Sequence, residues 1–278
     1  MTQSNAISPP PSPNNPNQTW GNKCAQKLGF LVAIGEYAQL LAETARATLR
    51  RPPTLHLILK QIYDVGVASF LVVALTGFST GLVLAAQSFY QLADKGLTSV
   101  TGLMVAKAML TELGPVLTAF MVTGRVGAAM CAELGTMQVT EQIDALKTMA
   151  VNPHRYLVAP RLIAGTLMMP FLTIFSIAMG IFGGYLISIY FFEMSPQTFF
   201  DPMPTHISFF DMATGIIKGF IFGVLIMTIG CYKGMRTTGG AAGVGKATTA
   251  SVVITYCCIL FMNFFLTVAL NVFHDNFG

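Results

Sequence analysis

Long apolar runs limit what this chain can become. Five of them, about Val65 to Leu92, Leu103 to Thr123, Leu162 to Phe192, Met212 to Tyr232 and Thr248 to Phe273, reach or exceed the roughly 20 residues that a helix needs to cross a bilayer. Lipid offers no partner to backbone N–H and C=O groups, so a spanning segment must satisfy them internally, as a helix does. Composition agrees, with 53% of residues hydrophobic and 10% charged, against about 25% charged in a soluble domain. The expected fold class is an all-α integral membrane protein with five transmembrane helices.

The cations test that count, because segments on the cytoplasmic side of a membrane carry an excess of Lys and Arg. Lys23, Lys27, Arg46, Arg50, Arg51 and Lys60 precede the first span. Arg125, Lys147, Arg155 and Arg161 lie between the second and third, and Lys233, Arg236 and Lys246 between the fourth and fifth. The alternate segments hold Asp94 with Lys95, then Glu193, Asp201 and Asp211, then Asp275. The alternation predicts a cytoplasmic N-terminus and an external, periplasmic C-terminus. The external segment Pro196 to Phe210, with Pro202 and Pro204, is expected to form short helical turns. A net charge of +4 placed this way does not imply nucleic acid.

Residues 1–22 are rich in Pro, Asn and Ser and are expected to be a disordered tail with no cleaved signal peptide. Residues 23–53 read as an amphipathic interfacial helix, closed by Pro52-Pro53, lying along the inner membrane surface. Residues 54–278 form the membrane domain. The 5 cysteines show neither CxxC nor zinc spacing, so neither disulfides nor a metal site is expected.

Between the second and third spans, Thr140 to Met149 reads as a short amphipathic helix, ended by Asn152-Pro153. Ile143, Leu146 and Ala150 share one face, while Glu141, Asp144 and Lys147 lie elsewhere. Such a helix is too short to span. It either rests on lipid head groups or docks a soluble partner.

Gly240-Ala-Ala-Gly-Val-Gly245-Lys246 approaches a phosphate-binding loop, but Ala247 stands where Ser or Thr should hold magnesium and no strand precedes it. A flexible cytoplasmic loop is the expectation. Any ATP hydrolysis then belongs to another subunit.

Glu112 sits within the second span, where an acid costs roughly 2.5 to 3.5 kcal/mol unless it faces a cavity or a partner. Pro115 removes the donor that would have served the Thr111 carbonyl. Counted from their expected span ends, Glu112 lies roughly 14 Å deep and Lys218 roughly 9 Å deep from the same side, consistent with one outward-facing pocket. The plainer alternatives are a satisfied packing acid at Glu112 and a Lys218 that snorkels to the surface. Gly215, Gly219 and Gly223 form one small-residue row, and Gly77 and Gly81 another; each permits a tight helix contact, within the chain or between subunits.

Taken together, Thr111-Glu-Leu-Gly-Pro115, Gly124-Arg125-Val-Gly127, Ala132-Glu133-Leu-Gly135, Thr140-Glu-Gln142 and Met149-Ala-Val-Asn-Pro153 resemble, in order and spacing, the MlaE or YrbE permeases of MCE-associated ABC transporters. The similarity runs from about Gln61 to about Leu270. It implies a homodimer of five-span permeases that holds phospholipid, with Leu84, Gln87, Glu112 and Lys218 at the lipid-contacting positions. It also implies a cytoplasmic ABC ATPase, carrying the ATP and Mg, that grips a coupling helix through Thr140, Glu141, Gln142, Asp144, Leu146 and Lys147. An MCE-domain periplasmic protein and, in some systems, a STAS-domain protein complete the assembly. Inner-membrane placement and a non-catalytic role follow from the same likeness. Some relatives carry Arg at the place of Thr111 and Asp at that of Asn263, so their head-group contacts need not transfer.

Two other classes stay open on the residues themselves. An ion-coupled secondary transporter would use Glu112 as its proton site. An intramembrane enzyme fits less well, because His56, His154, His206 and His274 fall in loops or at ends and no paired carboxylates share a depth.

Overall fold

Because the backbone can find no partner in lipid, the chain closes its hydrogen bonds inside helices, and the computed structural model contains no strand among the described residues. Residues 55–277 are described continuously, preceded by Gly35, Tyr37, 42–44 and Arg46, all helical. The expected tail over 1–22 lies outside the described residues, as does most of the expected interfacial helix over 23–53.

In chain order the helices are α1 (Leu55–Ala93), α2 (Thr98–Val139), the short α3 (Gln142–Thr148), α4 (His154–Tyr190), the short turns α5 (Pro196–Phe200) and α6 (Met203–His206), α7 (Phe209–Met235) and α8 (Gly240–Phe277). Among them α1, α2, α4, α7 and α8 are long and apolar enough to cross a membrane, giving the 5 expected spans. Arg125, Lys147, Arg155, Lys233, Arg236 and Lys246 mark one end of these helices, and Asp94, Glu193, Asp201 and Asp211 mark the other. We refer to these as the cation-rich and cation-poor ends.

The helices outrun the expected spans. α2 does not stop near Thr123 but continues to Val139. Hydropathy falls at Gly124-Arg125, yet helical hydrogen bonding passes through a π-helical turn over Thr123–Gly127 and goes on. This tail is packed rather than free: Gly135 faces the Thr237 hydroxyl, and Gly234 of α7 faces Leu134. Likewise the Gly240 to Lys246 stretch is not a flexible loop, because α8 begins at Gly240 and its first turns are helical.

Both glycine rows serve contacts within the chain. On α1, a Cβ at Gly77 would strike the Ser176 carbonyl, and one at Gly81 the Gly180 carbonyl, so α1 and α4 touch backbone to backbone. On α7, Gly215 faces the Leu110 carbonyl, Gly219 faces Thr173, and Gly223 faces Met169. The main core gathers Val73, Val122, Met169, Phe222, Ile226 and Ile259 from all five spans, and a second cluster unites Ala85, Val105, Met109 and Ile177. α8 is the least covered. It buries 11% of its most apolar stretch, against 56% for α7, leaving Phe261, Phe264, Phe265 and Val268 turned outward.

Candidate functional site

Toward the cation-poor half of the bundle, α2 widens into a π-helical turn over Met109–Leu113 that carries Glu112. Pro115 follows after Gly114 and has no N–H to offer the Thr111 carbonyl. That carbonyl is served from another helix, since Lys218 Nζ of α7 donates to it at 2.8 Å. The same ammonium meets Glu112 Oε1 at 2.7 Å and Thr267 Oγ1 of α8 at 2.8 Å. Its three hydrogens are thereby all used.

Glu112 is as fully engaged. Thr267 Oγ1 donates to Oε1 and Asn263 Nδ2 donates to Oε2, each at 2.8 Å. The cluster pins α2, α7 and α8 together and carries no net charge. Lys218 has no exposed surface, whereas the Glu112 side chain keeps 37% of its own. Lys218 therefore does not snorkel, and the depth offset expected between the two residues closes to contact. The helices begin earlier than expected, at Thr101 after one 3-10 turn and at Phe209; from these starts Glu112 lies about 17 Å deep and Lys218 about 14 Å.

The exposed side of Glu112 opens on a cavity of about 370 Å³, lined also by Lys107, Thr111, His206, Asp211 and His274. This volume is near the lower end for small-molecule sites. Lys107 Nζ lies 4.0 Å from Asp211 Oδ2, and the His274 ring stacks on Phe210 at 4.5 Å. Lys218 lies behind Glu112 and does not line the cavity. Leu84 packs half-buried beside the second cluster and Gln87 is exposed on α1, so neither reaches it.

Sequence reading missed Lys107, Asp211, His206 and His274 as cavity residues. Asp211 had a local signal. Ser208 and Asp211 form a capping box, the Ser208 N–H donating to Asp211 Oδ2 at 3.0 Å and the Phe210 N–H to Ser208 Oγ at 3.2 Å. Lys107 and Thr111 are four residues apart on one helix face, which also pointed here.

At the cation-rich end, the link from α2 to α4 forms a second arrangement. The amphipathic segment is shorter than expected: α3 covers Gln142–Thr148 only. Thr140 closes α2 by donating to the Thr136 carbonyl at 2.8 Å, and Glu141 adopts a left-handed backbone, φ 59°. Of the expected apolar face, Ile143 is fully buried, Leu146 half-buried and Ala150 exposed beyond the helix end. Asp144 and Lys147 pair at 2.8 Å on the outer surface, and Glu141 and Gln142 are exposed. Arg161, nearly buried, binds Glu133 at 2.9 Å and the Leu157 carbonyl at 3.0 Å, tying the α2 tail to the start of α4.

Ala150 explains where the face ends. Its φ is 59°, its N–H donates to the Lys147 carbonyl at 3.0 Å, and the Val151 N–H donates to the Leu146 carbonyl at 3.0 Å. This is a Schellman closure with alanine where glycine is favoured. Ala150→Gly should remove a left-handed cost of about 1 kcal/mol and raise hydrogen-exchange protection of the Val151 amide roughly fivefold. Unchanged exchange would show that this helix end is not limiting.

With this geometry in view, comparison with known proteins is informative. The family model described as Permease MlaE matches residues 58–269. The chain is 37% identical over 245 residues to the "Intermembrane phospholipid transport system permease protein MlaE" of Haemophilus influenzae, covering 87% of this chain and 93% of that one. A "Probable ABC transporter permease protein" of Rickettsia felis is 37% identical over 240 residues, covering 86% and 93%. The Arabidopsis thaliana "Protein TRIGALACTOSYLDIACYLGLYCEROL 1, chloroplastic" is 37% identical over 209 residues, covering 75% of this chain and 60% of that one.

Proposed function

We propose, because this chain belongs to the MlaE permease family, that it is the membrane-spanning subunit of an ABC transporter that moves phospholipid between the inner membrane and the periplasmic or outer-membrane side. The observation that carries this reading is the family match over residues 58–269, which takes in α3, the Glu112–Lys218 pair and most of every span. The chain itself is non-catalytic on this reading, and ATP and Mg belong to a partner ATPase.

Orientation follows from the charges. The cation-rich end, with the N-terminus, is cytoplasmic and the cation-poor end periplasmic. The ATPase then docks on α3, where Thr140, Glu141, Gln142, Asp144, Leu146 and Lys147 present a small surface held from behind by buried Ile143. An MCE-domain protein meets the periplasmic end, near α5 and α6, and a STAS-domain protein accompanies the ATPase, as in some related systems. A second copy of the chain lies against the outward apolar face of α8.

Lipid contact is assigned to Glu112, with Lys218 fixing its carboxylate from behind, and to Leu84 and Gln87 on α1. The 370 Å³ cavity suits a head group, so the acyl chains must follow exposed apolar helix faces. In proteoliposomes holding the permease with its ATPase, a fluorescent phospholipid should be transferred only when ATP is supplied. Transfer under a proton gradient with ATP omitted would select the ion-coupled alternative instead.

A further inference from the structure

A second polar cavity lies at the opposite end of the α7–α8 hairpin. Its volume is about 390 Å³, and Tyr232, Lys233, Arg236, Thr237, Thr238 and Lys246 line it together with small residues of α8. No carboxylate is among its described lining residues. The cavity at Glu112 mixes both signs; among the described residues the charged groups lining this one are all cations.

The fold builds it rather than merely leaving it. Tyr232 is 9% exposed, and its ring holds the Arg236 guanidinium at 5.1 Å and the Lys233 ammonium at 5.9 Å. Thr237 is buried, its hydroxyl donating to the Lys233 carbonyl at 3.1 Å. Gly239 and Gly240 turn the chain with φ of 90° and 66°. A Cβ at Gly243 would strike the Thr238 carbonyl, so only glycine lets the first turn of α8 fold over the cavity. Gly243, Lys246, Ala247 and Ala250 then line the cavity along one face of the 38-residue helix. Neither Lys233 nor Lys246 is ion-paired to a carboxylate among the described residues.

We propose that this cavity binds the phosphate head of an anionic phospholipid from the leaflet at the cation-rich end. Two features favour lipid over a soluble phosphate. Ala250 lines the cavity, and exposed Val253 and Ile254 continue from it along α8 into the span, offering acyl chains a path. Basic pockets between spanning helices at the membrane surface suit such heads, and a head with two phosphates should hold better than one with a single charge. Residues 210 and 233 stand about 35 Å apart along α7, so this site and the cavity at Glu112 serve opposite leaflets. The proposal goes beyond the transport reading and does not depend on it.

Native mass spectrometry of the full chain in mild detergent, titrated with cardiolipin, phosphatidylglycerol and phosphatidylcholine of matched chains, tests it. Cardiolipin should be retained best and phosphatidylcholine least. Lys233→Gln with Lys246→Gln should weaken cardiolipin retention about twenty-fivefold, near fivefold per lysine, while Lys233→Arg with Lys246→Arg and the distant Lys95→Gln should not. Equal cardiolipin retention in the Gln double variant would overturn the proposal, and so would displacement of cardiolipin by excess inorganic phosphate, which would assign the site to a soluble anion. Because the readout is binding and not transfer, a failed transport assay leaves this outcome intact.

Discussion

Replacing Lys218 with methionine should sharply lower the yield and thermal stability of the folded chain, and adding Glu112→Gln should restore part of both. Among the described residues the ammonium is the one cation paired with this carboxylate, held between three helices, and it also serves the Thr111 carbonyl that Pro115 leaves without a donor. Removing one partner of a buried pair costs about 3 to 5 kcal/mol; the 37% exposure of the Glu112 side chain puts the expected loss near the lower bound. Glutamine in place of Glu112 keeps hydrogen-bonding capacity toward Asn263 and Thr267 without the stranded charge. The Thr111 carbonyl stays orphaned in the double variant, a residual cost of about 1 to 3 kcal/mol. Thermal unfolding in detergent reads all three chains. A Lys218→Met chain as stable as the wild type would mean that the cluster does not clamp α2, α7 and α8.

Reversing Glu141 and Asp144 together to lysine should leave insertion intact and abolish copurification of the ATPase. Both residues are exposed and touch no core, so the fold has little to lose. At an interface, mispairing of like charges costs several kcal/mol, which sets the expected loss of association at roughly a hundredfold or more. Asp144→Lys also breaks the surface pair with Lys147, an interaction worth about 0.2 to 1 kcal/mol. The swap Asp144→Lys with Lys147→Glu separates the two effects by keeping the pair while inverting its polarity. If the ATPase survives the Glu141/Asp144 reversal, α3 is not where it docks.

The spans were legible because lipid imposes length and helicity on any segment that crosses it. Their ends were less so. Hydropathy stops at Gly124-Arg125, but the hydrogen-bond ladder of α2 runs on to Val139 because glycines let that tail pack on α7. The Glu112–Lys218 approach was readable as similar depth, and the freed Thr111 carbonyl as a consequence of Pro115. The parts played by Asn263 and Thr267 were not, since they depend on how α8 is rotated against α2. The glycine rows announced close contacts without saying with what. Ala150 gave no signal at all, because nothing in the residue type marks a left-handed position. The cavity residues Lys107 and Asp211 stand far apart in sequence and meet only through the packing of α2 with α7.

The uninterrupted run of α2 from Thr98 to Val139 makes it a rod about 60 Å long. Its near end carries Lys107, Thr111 and Glu112 at the cavity beside α7; its far end stops at the doorstep of α3. A lever of that length turns a tilt of about 5° into a swing of roughly 5 Å at the opposite tip. The two π-helical turns at Met109–Leu113 and Thr123–Gly127 are where such a beam would flex, the first beside the acid itself.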